Sequence, residues 1–129
     1  MILDASAIVA ILGGEPEADV LLARMRSADV RWTHPVSLYE AALALRRVND
    51  IAIEVALTDT QEFLETADIQ VLPLEGRTAE TAVLTFARFG RGHHPAKLNM
   101  GDCFSYACAK LRGVPLLYKG DDFAKTDLG

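Results

Sequence analysis

The chain has 129 residues, half of them hydrophobic, with 18 acidic residues against 13 Lys and Arg and a formal net charge of −5. One domain over residues 1–129 buries enough surface to fold without a disulfide or structural metal, and Cys103 and Cys108 have neither C-x-x-C nor zinc spacing, so they read as free thiols. No basic-then-apolar leader opens the sequence and no apolar run nears the roughly 20 residues of a membrane span; the expectation is a soluble, cytoplasmic protein whose acidic balance argues at first against nucleic acid.

Short β-rich runs alternate with longer helical periods. Ile2–Leu3 reads as a minimal strand and Ala5–Leu12 as a helix stopped by Gly13–Gly14. A helix over about 17–28 carries Leu21, Met25 and Ala28 on one face, and Val30–Trp32 is the second strand. The next helix, about Val36–Val48, has its apolar stripe on Leu38, Ala41, Ala42, Leu45 and Val48. Another, about Ile53–Ala67, turns Ile53, Leu57, Thr60, Leu64 and Ala67 inward, leaving Asp59, Glu62 and Glu65 to solvent. Ile69–Leu72 is a third strand, and a helix over Thr78–Phe89 is expected to bury Ala79, Val83, Phe86 and Phe89. "GRGHHPAKLNMG" is a loop, a last helix spans about Asp102–Arg112, and Leu116–Tyr118 closes the pattern as a fourth strand. The fold class is α/β: a three-layer α/β/α sandwich around a short-stranded, mainly parallel sheet.

In such sheets the functional crevice lies beyond the C-terminal ends of the strands. Asp4 directly follows the first strand, and Asp121 and Asp122 follow the last. Glu40 lies early in the helix after the second strand, off its apolar stripe, and Asp102 opens the last helix. Each acid alone has an ordinary reading: Asp4 and Asp102 as helix N-caps, Glu40 as a solvated residue, Asp121–Asp122 as a turn. Together at one edge they would repel one another unless protonated or neutralised by a cation. Oxygen-only ligands suit Mg²⁺ or Mn²⁺, and such ions promote phosphoryl chemistry by lowering the pKa of water and stabilising a leaving oxygen. Setting four of the 18 acids aside leaves 14 against 13 Lys and Arg, so the net charge is compatible with a nucleic-acid substrate.

Weaker candidates surround this set. Arg88, Arg91, His93, His94 and Lys97 form a basic group that is either a hold on a phosphate backbone or a solvated loop. Ser6 either supports the Asp4 site or caps the first helix, and Lys119 reads as solvated.

"MILDASAIVAIL", the acid in "SLYEAALAL", "LNMGDCFSYACAK" and "PLLYKGDDFAKTD", in that order, resemble the PIN-domain ribonuclease toxins of VapBC toxin–antitoxin systems across essentially the whole chain. The resemblance implies a Mg²⁺-dependent endoribonuclease, with Mn²⁺ as a substitute, that acts on RNA as a homodimer and is inhibited by a VapB-type antitoxin. It further implies Asp4, Glu40, Asp102 and Asp122 as the catalytic, metal-holding acids, with Asp121 a second choice for the fourth and Asp127 an outer-shell candidate. His34–Pro35 departs from the small or hydroxylated residues expected before the helix acid, and a C-terminal strand found in some relatives is expected to be missing or marginal. Two other classes compete: a catalytically silent binding or dimerisation module of the same fold, and a phospho-receiver domain. The latter needs an acceptor Asp after a middle strand, where this chain has "VLPLEG".

Overall fold

β1 (Ile2–Leu3) is the pivot of the computed structural model, which describes residues 1–129. Both residues are fully buried, and strand geometry sends their side chains to opposite faces. Ile2 enters a core with Phe89, Leu98, Tyr106 and Leu116, while Leu3 enters another with Ile8, Leu21, Leu64 and Leu117.

From β1 the chain runs through α1 (Ala5–Leu12) and α2 (Ala18–Arg26) to β2 (Arg31–Thr33), then through α3 (Pro35–Val48) and α4 (Ile53–Thr66) to β3 (Ile69–Val71). α5 (Gly76–Phe89) and α6 (Met100–Arg112) lead to β4 (Leu116–Leu117), and a 3₁₀ turn covers Phe123–Lys125. The strand order is β3-β2-β1-β4 and every pairing is parallel, with Ile2 opposite both Trp32 and Leu116. The first two crossovers step outward from β1; the third returns past it to the other side. Right-handed crossovers running in opposite directions place their helices on opposite faces. Accordingly α1–α4 cover the Leu3 face and α5 and α6 cover the Ile2 face, giving the expected α/β/α layers. The reversal between β1 and β4 is a topological switch point, where open sheets leave a crevice.

Element boundaries move by one or two residues where side-chain chemistry overrides periodicity. β2 ends on Thr33, buried because its hydroxyl donates to the Leu3 carbonyl at 2.9 Å, while Val30 stays outside the strand. α6 starts at Met100 because Asn99 caps it: the Asn99 side chain accepts from the Asp102 N–H at 2.9 Å, and Asp102 accepts from the Asn99 N–H at 3.0 Å. β4 stops at Leu117, short of Tyr118.

Buried faces differ more. α5 buries Thr78, Ala82, Thr85 and Phe89, whereas Val83 is 68% exposed and Ala79 and Phe86 also face solvent. α4 turns Ala56 rather than Leu57 inward, and Val48 of α3 is exposed. Cys103 and Cys108 are free and buried, and burial pushes both thiols up to about 11, which leaves them unreactive.

Candidate metal centre

Asp4 sits at the switch point, its N–H bonded to the Leu117 carbonyl of β4 at 2.9 Å. It caps α1, accepting the Ser6 N–H on Oδ2 at 3.0 Å, so the capping reading of the sequence holds. Capping uses only part of the carboxylate. The Ser6 hydroxyl also donates to Oδ2 at 2.6 Å, and the Ser105 hydroxyl donates to Oδ1 at 2.5 Å. Asp4 is buried and lines a cavity of about 300 Å³.

Glu40 of α3 and Asp102 of α6 line that same cavity, so three of the acids expected from the sequence meet there. Gly101 makes the approach of Glu40 possible. A methyl group at that position would overlap Glu40 Oε1 outright and stand 2.6 Å from its carboxyl carbon, so the α6 backbone forms a cradle that only glycine leaves open. In the sequence, the only signal of this role is the place of Gly101 directly before the helix acid in "NMGDC".

The electrostatics record the crowding. Burial pushes Asp102 up to about 7, the charges of Asp4, Asp122 and Glu40 add to the rise, and the Asn99 N–H opposes it. Glu40 is likewise raised, by burial first and by Asp4 second. Asp122 is exposed and outside the cavity lining, but its charge bears on Asp102 where that of Asp121 does not. No three His, Cys, Asp or Glu side chains converge tightly enough to ligate one ion as they stand. The donor set nonetheless fits a hard divalent cation: all-oxygen, multiply anionic, drawn to one cavity, and carrying an acid that burial first and neighbouring charges second have raised to about 7. Cavities of about 440 and 450 Å³ lie elsewhere; neither gathers acids, so chemistry rather than volume selects the site.

The remaining candidates fall in several places. Ser6 belongs to the site. Lys119, expected to be solvated, stands at the cavity rim paired with Glu15 and, at 3.7 Å, Glu17; Glu15 is a lining residue absent from the sequence expectation. Asp127 is held by Lys110 at 2.6 Å and the Tyr106 hydroxyl at 2.6 Å, in a separate cavity that it shares with Arg88. The structure therefore does not bring Asp127 to the other acids. Arg88 also stacks over Phe89 at 4.5 Å, His93 packs edge-on against Phe86, and His94 against Phe89. Arg91 and Lys97 are exposed on the loop that runs into Asn99.

His34, which departs from the small or hydroxylated residues expected before the helix acid, belongs to the same neighbourhood. It is fully buried, caps α3 by accepting the Ser37 N–H on Nδ1 at 3.2 Å, and meets Ser105 Oγ through Nε2 at 2.8 Å. Burial lowers its pKa to about 4, against a small upward pull from Asp4.

A four-stranded parallel sheet in the order 3-2-1-4, with acids converging at its switch point, defines the class: the chain belongs to the PIN-domain family, whose model matches residues 1–128. Within that class it belongs with the VapC ribonucleases. It is 44% identical to Ribonuclease VapC28 of Mycobacterium tuberculosis over 127 residues, covering 98% of this chain and 93% of the relative. It is 38% identical to Ribonuclease VapC of Mycolicibacterium smegmatis, covering 99% and 97%. The crystal structure of Mycobacterium tuberculosis VapC20, described as a sarcin–ricin loop cleaving toxin, superposes with a TM-score of 0.73 at 21% identity over 96% of this chain and 93% of that one, which shows the shared fold. Membership removes the phospho-receiver reading. No helix is long and apolar enough to cross a membrane.

Proposed function

We propose that this chain is the toxin of a type II toxin–antitoxin pair and an endoribonuclease that uses Mg²⁺, or Mn²⁺ in its place, at Asp4, Glu40, Asp102 and Asp122. The observation that carries the reading is the cavity shared by Asp4, Glu40 and Asp102, beside which Asp102 is raised to about 7. A divalent cation there would supply a water of lowered pKa and stabilise charge on the phosphate. Asp4 presents a carboxylate whose direction is fixed by two serine hydroxyls. Glu40 adds a second from across the cavity, held against the Gly101 backbone. Asp102 retains a proton for part of the time at neutral pH and must release it to act as a third anionic ligand. Asp122 is the fourth acid in this reading, anchored by the buried Phe123 beside it.

Arg91 and Lys97 are the better placed of the loop cations to hold an RNA backbone, since Arg88 and His93 are engaged with aromatic rings. A VapB-type antitoxin and a homodimeric assembly belong to the same proposal and rest on the family.

The test is Asp4→Asn assayed on single-stranded RNA. The amide keeps one oxygen for capping but loses the charge, so the variant should stay folded and lose cleavage; full activity would overturn the mechanism. A catalytically silent member of the family is the second reading, favoured by the absence of three tightly converged ligands. Calorimetric titration of the wild type with Mn²⁺ separates the two, since a silent member binds none.

A further inference from the structure

Asp4 is gripped by two relays built on one plan. On one side the Lys119 backbone N–H donates to Ser6 Oγ at 3.0 Å, which obliges the Ser6 hydroxyl proton to point at Asp4 Oδ2, 2.6 Å away. On the other side the donor is a side chain. His34 Nδ1 accepts the Ser37 N–H, so the ring proton sits on Nε2 and is directed at Ser105 Oγ at 2.8 Å, with Ser37 Oγ alongside at 3.0 Å. The Ser105 hydroxyl proton is thereby committed to Asp4 Oδ1 at 2.5 Å. Ser37 Oγ lies 3.3 Å from Ser105 Oγ and completes a cluster in which no buried polar side-chain atom lacks a partner. His34, Ser37 and Ser105 are all fully buried, so no water competes for these bonds.

We propose that His34 is a positioning residue of the metal centre, acting through Ser105 to fix the direction in which Asp4 presents its free lone pairs to the cavity. The inference rests on the metal-holding reading of Asp4. Without the Nε2–H, the Ser105 hydroxyl is free to rotate toward another acceptor, and Asp4 loses the donor on Oδ1 while both Ser6 donors stay on Oδ2. Groups that orient ligands in this way contribute to affinity without touching the ion.

A purely structural role predicts something else. His34 also caps α3, and asparagine is among the best N-caps but cannot reach Ser105, whereas glutamine can carry an N–H to roughly the place of Nε2 but caps poorly. Mn²⁺ binding to the full chain, measured by calorimetry, therefore separates the roles. His34→Asn should weaken Mn²⁺ binding by about tenfold and His34→Gln should keep the affinity, although both variants melt lower because the buried ring is lost. Ser105→Ala alone should weaken binding as His34→Asn does, and adding His34→Asn to Ser105→Ala should cost no more. Wild-type affinity in Ser105→Ala, or fully additive losses in the double variant, would overturn the inference even if His34→Asn failed to fold. A wild type that binds no Mn²⁺ would instead remove the metal-holding reading itself, and this inference with it.

Discussion

Gly101 lies in the first turn of α6 with the Glu40 carboxylate where its own side chain would project. In an ordinary helix, replacing glycine by alanine stabilises by roughly 1 kcal/mol. Here the methyl must displace Glu40 from the cavity, because the carboxylate is the mobile partner and the helix backbone is not. Gly101→Ala is therefore expected to fold, with a melting temperature within a few degrees of wild type, and to lose cleavage on the order of 100-fold. RNA cleavage and thermal melts of the same sample check both halves; an active, stable Gly101→Ala would show that Glu40 acts from somewhere else. At this scale the acids could be read in the sequence because their type and order are informative. Gly101 and His34 could not, since each matters through one contact with a residue distant in the chain. The pair "HP" before a helix did hold a clue: proline fits the first helical position, which makes the preceding residue a cap.

α6 supplies Asp102, Gly101 and Ser105 to the site, and its start depends on two reciprocal bonds between Asn99 and Asp102. Asn99→Ala removes the cap and should cost about 1 kcal/mol, seen as a melting temperature lower by roughly 3–6 °C; an unchanged melt would mean that packing alone sets the start of α6. Periodicity located every α-helix and strand but misphased α5, and the cause is specific. The helix packs on α6 through Thr78, Ala82 and Thr85, small side chains that let the two backbones approach, and Thr85 satisfies its own hydroxyl on the Thr81 carbonyl at 2.8 Å. A stripe chosen by hydrophobicity lands on Val83 and Phe86 instead. Close helix packing rewards small size, which a hydrophobic pattern does not register.

Across the whole molecule, groups shifted by burial oppose each other in pH, Asp102 and in the same direction Glu40 on one side and His34 on the other. Asp102 has a folded pKa raised to about 7, so on its account the folded chain holds more protons than the unfolded one, and stability falls as pH rises from about 4 to about 7. His34 has a folded pKa lowered to about 4 from 6.5, so its contribution is lost as pH falls through that window. The slopes have opposite signs over nearly the same range. Cation-free wild type should show little dependence of melting temperature on pH between about 4 and 7, whereas Asp102→Asn, freed of the acid's slope, should melt progressively lower as pH drops below 6.5. Equal slopes in the two proteins would mean that Asp102 is not raised. The layered architecture and the edge on which the acids meet were readable from the alternation of strands and helices, because right-handed crossovers leave few arrangements. The strand order was not, since two-residue strands carry no pairing signal of their own. The central claim is that this edge is a cation-dependent nuclease site. Cleavage of single-stranded RNA by the wild-type chain in Mg²⁺, repeated in excess EDTA and again after Mg²⁺ is restored, tests it most directly. Activity should vanish with EDTA and return with Mg²⁺, leaving 5′-phosphate and 3′-hydroxyl ends; cleavage undiminished in EDTA, or 2′,3′-cyclic phosphate ends, would contradict it.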